Sequence, residues 1–396
     1  MPRIIFCLLI ILALPTFAFA QESTGRLEGW VLGDKGDPLV GSEIKVVGPS
    51  ILGQRSAVTG RDGYFQVAAL PVGVCRVIIG SPGYHEFTLE DVAVTLGGTA
   101  GLGRIALIPE ATVVETLVVT ASPSIIDPVS TSVGGNLADG DLADLPLDRS
   151  YRDAPTLLPH IQNSFHGDGL NIAGGTGPGN KWYIDGVDVT DPMYGGEGMD
   201  LPYNFIREIR VRTGGYEAEF PGAQGGVVDV ITYSGSNELR SELFGFYLND
   251  QMVGEQKLAH GDPEEGGFIR WDVGGSLAGP LVRDRLWFYT AYNPAFDSQD
   301  VDLPGQGIQT NSNTTHRFAA KLDWLANDSN DLTLTVTGDP SQGETIGPTL
   351  DAVLLENPDP ALVDQSLGAV AVSLKGRHYL GAGSYLQSRL STVWNR

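Results

Sequence analysis

The sequence has little cysteine, little histidine and few basic residues, and each shortage excludes a class of protein. Two cysteines occur among 396 residues, and Cys7 lies in an apolar N-terminal run, so a processed chain would keep Cys75 alone. A single cysteine can form neither an intramolecular disulfide nor a cysteine-based metal cluster. Cys75 lies in the apolar run VCRVIIG, which predicts a small buried side chain rather than a reactive thiol.

Basic residues are outnumbered by acidic ones, 25 to 48, which gives a net charge of −23. Removal of residues 1–20 takes away Arg3 and no acid, so 24 bases and 48 acids remain and the net charge becomes −24. Contacts with phosphate need Lys and Arg, so the composition excludes nucleic acid as a partner. Charge would not draw the chain to an anionic membrane surface either.

Histidines are scattered, which argues against metal-dependent hydrolysis. They form no H-E-x-x-H motif, and no G-x-S-x-G motif is present. The glycine-rich run NIAGGTGPG at 171–179 looks like a phosphate loop, but Asn180 separates its last glycine from Lys181 and a strand-like WYI follows. We therefore predict no enzyme, no catalytic residue, no metal ligand and no cofactor. The histidines are His85, His160, His166, His260, His316 and His378.

The N-terminus has the pattern of a secretory leader. Arg3 precedes the apolar run Ile4–Leu14, and Ala18-Phe19-Ala20 matches an A-x-A cleavage site. The run is too short to span a membrane as a helix. We predict a signal peptide over residues 1–20 and a mature chain that begins at Gln21, which indicates export.

Glycine and proline are abundant, at 52 and 24 residues, and between 25 and 108 they separate short β-branched runs. This spacing predicts an antiparallel β-sandwich, with Asp62-Gly63 as a hairpin-type turn. The order GWV, DKGDPLVG, TGRDGYF, LPVG and GY resembles the carboxypeptidase regulatory-like domain. The resemblance implies a prealbumin-like sandwich, often grouped with carbohydrate-binding-like folds, and a non-catalytic accessory role.

The segment Glu115–Ala121 reads ETLVVTA and is followed closely by Pro123. It predicts a short extended segment, and two interpretations are open: the last strand of the preceding module, or a strand that pairs with another protein edge to edge. The segment resembles the TonB box of TonB-dependent outer-membrane transporters. That resemblance implies contact between the energy-coupling protein TonB and the following residues: Glu115, Thr116, Leu117, Val118, Val119, Thr120 and Ala121.

Residues 125–234 combine short amphipathic patterns with strand-like runs. Ser150 is predicted to be the N-cap of a short helix, and WYIDGVDVTDP predicts a strand, an Asp-Gly turn and a second strand. The aspartates of this run do not have the spacing of a calcium loop. Three segments in succession resemble the end of the plug domain of TonB-dependent receptors: YIDGV, IREIRV and EFPGAQGGVVDVITYSGS. Departures from that pattern are Phe220-Pro221, Asp229 and Tyr233.

Residues 238–396 alternate apolar and polar side chains with a period of two, which is the signature of an outer-membrane β-barrel. In the clearest stretch, Phe268–Leu277, Ile269 and Trp271 share one face while Arg270 and Asp272 share the other. We predict about seven strands, where a transporter with a plugged lumen needs about 22. The predicted strands lie near 239–249, 268–279, 285–293, 316–326, 331–338, 367–376 and 379–394.

The sequence as a whole therefore predicts a mainly β protein: an N-terminal prealbumin-like β-sandwich, an α+β plug domain and the first strands of an incomplete transmembrane β-barrel. Because so few strands are predicted and the chain ends on Arg396 rather than on an aromatic strand, we expect a fragment of a longer protein. An open sheet with unpaired edges cannot be stable in lipid.

Accessory domain, box and plug together resemble the large Oar-like receptors, a resemblance that implies a TonB-dependent transporter. It implies an outer-membrane location with the N-terminal domain in the periplasm, contact with outer-membrane lipid, an extracellular substrate, and TonB as a partner with ExbB and ExbD. The alternative is an Oar-like structural or adhesive protein without transport. Candidate substrate-binding residues on outward plug loops are Trp182, Tyr183, Met193, Tyr194 and Tyr203, for which packing within the plug is an equal explanation.

Overall fold

The computed structural model describes most of the chain beyond the leader. The described residues are 24–51, 53–110, 118–120, 132–144, 149–164, 169–193, 195–216, 219–254, 265–303, 307–346, 362–381 and 384–395. The predicted leader, its cleavage site, residues 115–117, Ala121, Tyr194 and Arg396 lie outside these ranges. Within them, no helix has both the length and the apolar character needed to cross a membrane.

The first unit is a β-sandwich, as predicted, made of a three-stranded and a five-stranded sheet in the orders β4-β1-β7 and β3-β2-β5-β6-β8. Alternate residues of its strands are buried, including Leu27, Val31, Ile44 and Ile79, and together they form one hydrophobic core. The strands are β1 (Gly25–Leu32), β2 (Glu43–Val47), β3 (Arg55–Val58), β4 (Tyr64–Leu70), β5 (Gly73–Gly80), β6 (Phe87–Val94), β7 (Thr99–Ala106) and β8 (Val118–Thr120).

The turn at Asp62-Gly63 does not close a hairpin. It is tight, with Gly63 at φ 74°, but it joins β3 to β4, which belong to different sheets of the sandwich. The prediction of a hairpin-type turn was wrong in this respect, because a tight Asp-Gly turn fixes the local reversal but not the sheet in which the next strand pairs.

The second unit, the plug, is built on a five-stranded mixed sheet of order β13-β12-β15-β14-β9, with a separate hairpin of β10 and β11. Asp185 and Gly186, at φ 50° and 75°, form the predicted Asp-Gly turn between β12 and β13. The elements are β9 (Val133–Ala138), α1 (Asp139–Asp144), β10 (Ile161–Asn163), β11 (Leu170–Ile172), β12 (Lys181–Ile184), β13 (Val187–Asp188), β14 (Ile206–Gly214) and β15 (Val227–Thr232).

The helix predicted from Ser150 is shorter than expected and begins later. It is a 3-10 helix over Ala154–Leu157, with Asp153 at the N-cap position and Pro155 in its first turn. The Ser150 hydroxyl instead donates to Asp200 Oδ1 at 2.5 Å and accepts from the backbone N–H of Arg152. Ser150 therefore stabilises a turn against a distant loop rather than the helix end.

The third unit is a nine-stranded sheet, called here the wall. Its main path is β16-β17-β18-β19-β20-β23-β24, and the pair β21–β22 extends from β19, which the sequence analysis missed. Among the described residues the path does not close on itself. The strands are β16 (Arg240–Asn249), β17 (Glu265–Val282), β18 (Leu286–Leu303), β19 (Gly307–Asn327), β20 (Asn330–Gly338), β21 (Ser341–Ile346), β22 (Leu362–Leu367), β23 (Ala369–Gly381) and β24 (Ser384–Asn395).

Burial in the wall is the reverse of that in a water-soluble sheet. Along β19, Lys321 and Asp323 are buried on the face that meets the plug, while Leu322 and Trp324 remain exposed. The apolar face of β17 is likewise exposed, with Trp271 at 42 %. Apolar residues outward and polar residues inward are what a lipid-facing barrel strand requires.

The two ends of the wall differ. At one end β17–β18, β19–β20 and β23–β24 are all joined by short connections, 283–285, 328–329 and 382–383. At the opposite end 304–306 is short, but 250–264 is longer and residues 339–368 include the additional strands β21 and β22. Outer-membrane barrels have short periplasmic turns and longer extracellular loops, so the short-turn end is the periplasmic one. The plug runs into β16 from this end, because Arg240 pairs with Ala278 near the close of β17.

Candidate functional site

Strand β8 is the described part of the predicted box. It pairs in parallel with β6, and Thr88, Leu89 and Glu90 stand opposite Val118, Val119 and Thr120. These three residues thus form the outer strand of the five-stranded sandwich sheet, which was one of the two interpretations left open. The role of Glu115–Ala121 as a TonB-contacting segment stays a prediction.

The pairing of β8 ends where β6 becomes irregular. Asp91, directly after Glu90, has a φ of 57°, and the register between β5 and β6 shifts at this point. A bulge of this kind increases the local twist and disrupts further pairing at an edge. The straight part of β6 therefore offers a short docking edge.

A buried carboxylate joins the sandwich to the plug immediately after β6. The backbone N–H of Leu96 donates to Glu208 Oε1 at 2.9 Å, and the side chain of Asn136 donates to the same oxygen at 2.6 Å. Arg210, two residues along β14, donates to the carbonyl oxygen of Leu96. Burial raises the pKa of Glu208 to about 7, although these hydrogen bonds and Arg210 oppose the rise. Both polar groups of one sandwich residue are thus held by the plug.

The plug is attached to the wall by buried ion pairs. The ammonium of Lys321 donates to Asp185 Oδ1 at 2.8 Å and to the carbonyl oxygen of Thr232 at 2.9 Å. Asp185 is the residue of the plug turn described above, and its second oxygen accepts from the Thr232 hydroxyl. The Arg389 side chain of β24 also donates to the carbonyl oxygen of Gly186 in this turn. The turn is therefore held from two strands of the wall.

Arg149 forms a second attachment between plug and wall, farther from the short-turn end. Its guanidinium donates twice to the carboxylate of Asp272, at 3.0 and 3.1 Å, and Asp272 also accepts from Asn293. The same guanidinium lies over the ring of Phe246, 3.5 Å from its centroid, and over the ring of Tyr203 at 4.7 Å. A bidentate pair flanked by aromatic faces fixes both position and orientation.

Asp200 links a third plug loop to the wall. It accepts from Arg317 of β19 at 2.8 Å, and its backbone N–H donates to Asp339 at 2.7 Å. Asp339 also accepts from the backbone N–H of Ala369, the first residue of β23. The loop is thereby fixed to two wall strands.

The sandwich also touches the wall, at the short-turn end. Arg55 of β3 donates to Asp331 at 3.3 Å and to the hydroxyl of Tyr379 at 3.0 Å. Asp331 accepts in addition from Arg377 at 2.9 Å. The sandwich therefore lies on the periplasmic side of the wall.

The chain passes from plug to wall at Asn237, which is fixed by side-chain hydrogen bonds. Its Oδ1 accepts from the indole N–H of Trp287 at 2.8 Å and from the backbone N–H of Asp284 at 3.0 Å. Its amide donates to the Asp284 carboxylate at 2.8 Å. The junction is thus tied to the short turn between β17 and β18.

The candidate substrate-binding residues do not form one cluster. Trp182 and Tyr183 are buried and pack edge-on against Tyr151 and Phe220, which favours the packing explanation for these two. Met193 is 78 % exposed, and Tyr203 is half-buried beneath Arg149. Tyr194 lies outside the described residues. A substrate role for any of them stays a prediction.

Sequence reasoning missed a group of charged residues near Arg149. Arg149, Asp272 and Arg317 line one groove between the plug and the wall, together with aromatic residues of β16 to β18. Alternation placed Asp272 on the polar face of its strand, and this was the only signal for it. Nothing in the local sequence distinguishes Arg149 from a surface arginine.

These features define a class: a wall of lipid-facing strands whose inner side is filled by a plug, with a sandwich at the periplasmic end. Residues 26–108 match the carboxypeptidase regulatory-like domain family. The chain is 25% identical over 419 aligned residues to the TonB-dependent transporter Oar of Myxococcus xanthus, which covers 92% of this chain and 38% of that protein. It therefore spans less than half the length of this relative.

Solved structures with the same fold are outer-membrane transporters and receptors. The outer membrane transporter YddB from Escherichia coli superposes with a TM-score of 0.52 at 14% identity, over 66% of this chain and 38% of that one. A ferric enterobactin receptor mutant from Pseudomonas aeruginosa gives 0.52 at 16% identity, over 66% and 40%. The solved structures show the fold, and the similarity to Oar supports an Oar-like TonB-dependent receptor in the outer membrane.

Proposed function

We propose that this protein takes up an extracellular substrate through the outer membrane and is powered by TonB. TonB draws its energy from the inner-membrane proton gradient through ExbB and ExbD and pulls Glu115–Ala121 from the periplasm. The observation that carries the proposal is the way in which the plug is held: ion pairs from several of its loops lead to the lumen face of the wall.

Buried attachments of this kind make spontaneous opening rare. If a pair is broken before water reaches the two groups, a buried charge is left without compensation at a cost of about 3–5 kcal/mol. Separation of the plug from the wall would break the pairs at Lys321, Arg149 and Arg317 together. An external source of work, applied through Glu115–Ala121, accounts for how such a plug can move.

The groove around Arg149 is the place where we propose that an arriving substrate meets the plug. Arg149, Arg270 and Arg317 bring guanidinium groups to it, each beside a carboxylate, and Phe246 supplies apolar surface. Tyr203 adjoins Arg149 at this site. Of the described candidate substrate residues, Tyr203 and Met193 are the two that are not buried. Paired charges beside an aromatic ring favour a ligand that has both polar and apolar parts.

Binding to TonB can be tested with a peptide that spans residues 110–125. If the segment pairs edge to edge with a strand of the TonB C-terminal domain, Val118→Pro or Val119→Pro removes a backbone donor and blocks the extended pairing. We expect the affinity to fall by at least about tenfold, or about 1.4 kcal/mol. The measurement is isothermal titration calorimetry with the isolated TonB domain.

Val118→Ile is the matched control, because it keeps both the backbone donor and the β-branched shape. Equal binding of the proline and isoleucine peptides would reject the coupling role of this segment. In cells, a phenotype of this gene that persists when TonB is deleted would favour a structural or adhesive role over transport.

A further inference from the structure

The sandwich pairs with one edge of β8, and this geometry bears on how TonB would bind. A β-strand has two hydrogen-bonding edges, and β8 uses one of them to pair with β6. Since β8 is the last strand in its sheet, no strand of the described residues pairs with its other edge. Val118–Thr120 can therefore be docked on the sandwich and still offer backbone groups to a further strand.

The outer edge of β8 lacks two usual protections against pairing. Natural edge strands are often blocked by charged residues or proline, and Val118, Val119 and Thr120 include neither. Two of the three residues are valine and the third is threonine, all of which favour extended structure. The bulge at Asp91 limits docking to the straight part of β6, so the contact is short.

We propose that the sandwich presents β8, so that TonB adds its own strand to the outer edge of β8 while β8 stays paired with β6. This rests on the proposed TonB-coupled function and adds the docked geometry to it. The partner would extend the five-stranded sandwich sheet by edge addition. Ordering of the segment is completed before TonB arrives, so less conformational entropy is lost on binding.

The hydrogen bonds that surround β6 support this role. Leu96 follows β6 by two residues, and its backbone N–H and carbonyl oxygen are held by Glu208 and Arg210 of the plug. A TonB strand attached to β8 would therefore load a sheet that is itself linked to plug strand β14. The alternative is that the sandwich hides the segment and that β8 must leave β6 before TonB binds.

A reversible disulfide distinguishes the two. Thr88 and Val118 are direct partners in the parallel register, and neighbouring strands lie about 4.8 Å apart, within the Cα separations that a disulfide can bridge. Thr88→Cys with Val118→Cys in the chain from Gln21 onward should form this bond on oxidation. Cys75 is buried, and burial raises its pKa to about 11, so it does not compete.

We expect the oxidised protein to bind the TonB C-terminal domain as tightly as the reduced protein, within about threefold. We also expect the unmodified chain to bind more tightly than the free 110–125 peptide, by about tenfold or more. Loss of binding on oxidation that returns on reduction would overturn presentation, and so would failure of the disulfide to form.

Glu90→Cys with Thr120→Cys is a second pair that leaves Val118 unchanged and repeats the test if the first pair weakens TonB binding by itself. Circular dichroism of each variant before and after oxidation verifies that the sandwich is folded. If peptide and chain both fail to bind, the proposed function fails as well. If the peptide binds and the oxidised chain does not, presentation alone is wrong.

Discussion

The sandwich and the wall are both sheets whose side chains alternate with a period of two, yet they bury opposite faces. In the sandwich, Leu27 and Val31 of β1 are fully buried. In the wall, Lys321 and Asp323 of β19 are buried while Leu322 between them is exposed. Alternation therefore establishes that the two faces of a strand differ, and the surrounding medium decides which face points inward.

The comparison also separates what holds each unit together. Apolar packing supplies most of the stability of the sandwich, as in any water-soluble domain. On the inner side of the wall, charged and hydroxyl side chains form hydrogen bonds and ion pairs with one another. Because burial of an unpaired polar group is costly, loss of any one partner should lower the free energy of unfolding markedly. Substitutions in the two units should therefore change the free energy of unfolding by different amounts and for different reasons.

The largest expected effect is at the contact where the two units meet. Asp331→Ala leaves Arg55 and Arg377 without the carboxylate that both of them use. We expect a loss of about 3–5 kcal/mol in the free energy of unfolding, because a buried charge loses its partner. Urea denaturation of the refolded chain in detergent measures it.

The double variant Arg55→Met with Asp331→Leu is the control, since it removes the guanidinium of Arg55 together with the carboxylate, and Arg377 keeps its hydrogen bond to the carbonyl oxygen of Ala69. It should recover part of the loss. If Asp331→Ala alone changes the free energy of unfolding by less than about 0.5 kcal/mol, the contact is not a buried ion pair in solution.

The next effect depends on pH and concerns Glu208. Its pKa is raised from 4.5 to about 7 in the folded protein, so the folded state binds more protons than the unfolded state between these values. The stability contributed by the protonated form is present in full below about pH 4.5 and is lost as the pH rises through about 7. Glu208→Gln keeps an oxygen that can accept from Leu96 and Asn136 but cannot ionise.

We therefore expect Glu208→Gln to be more stable than the parent at pH 8, by up to about 3 kcal/mol, and equal to it near pH 4. Thermal unfolding followed at several pH values would show this as a flatter profile for the variant. Parallel profiles for the two proteins would contradict a raised pKa at the joint between plug and sandwich.

The smallest effect comes from a conservative change made in both units. Ile79→Val in the buried sandwich core removes one methylene and should cost about 1 kcal/mol. Leu390→Val, at a position of β24 that is 76 % exposed, should change stability by less than about 0.5 kcal/mol. Denaturant titration of both variants in the same detergent compares them directly. Equal costs would mean that this face of β24 is packed against protein.

The fold could be predicted well from sequence because its signals are local. Alternation indicated the strands from β16 to β20 and both of β23 and β24, and Asp-Gly at 185–186 indicated its turn. The strands β21 and β22 were missed, since Ser341–Ile346 and Leu362–Leu367 are short and lack clean alternation. Their pairing depends on β19, which is distant in sequence.

The candidate site was far less predictable. Trp182 and Tyr183 were proposed as ligand contacts because outward plug loops were expected to carry them. Both are buried instead, since consecutive residues of the interior strand β12 face packed groups on each side. Arg149 and Asp272 are 123 positions apart and meet only through the fold. Local sequence does not carry information about charge pairs of this kind.

The fixed junction at Asn237 limits how far the plug can travel. Asn237 lies five positions after Thr232, where the last plug strand ends. An extended chain advances by about 3.4 Å per residue, so the end of β15 can lie at most about 17 Å from Asn237. The chain that joins the plug to the wall at its C-terminal end is therefore short. A pull from the sandwich side should rotate the plug about this fixed end rather than translate it out of the wall.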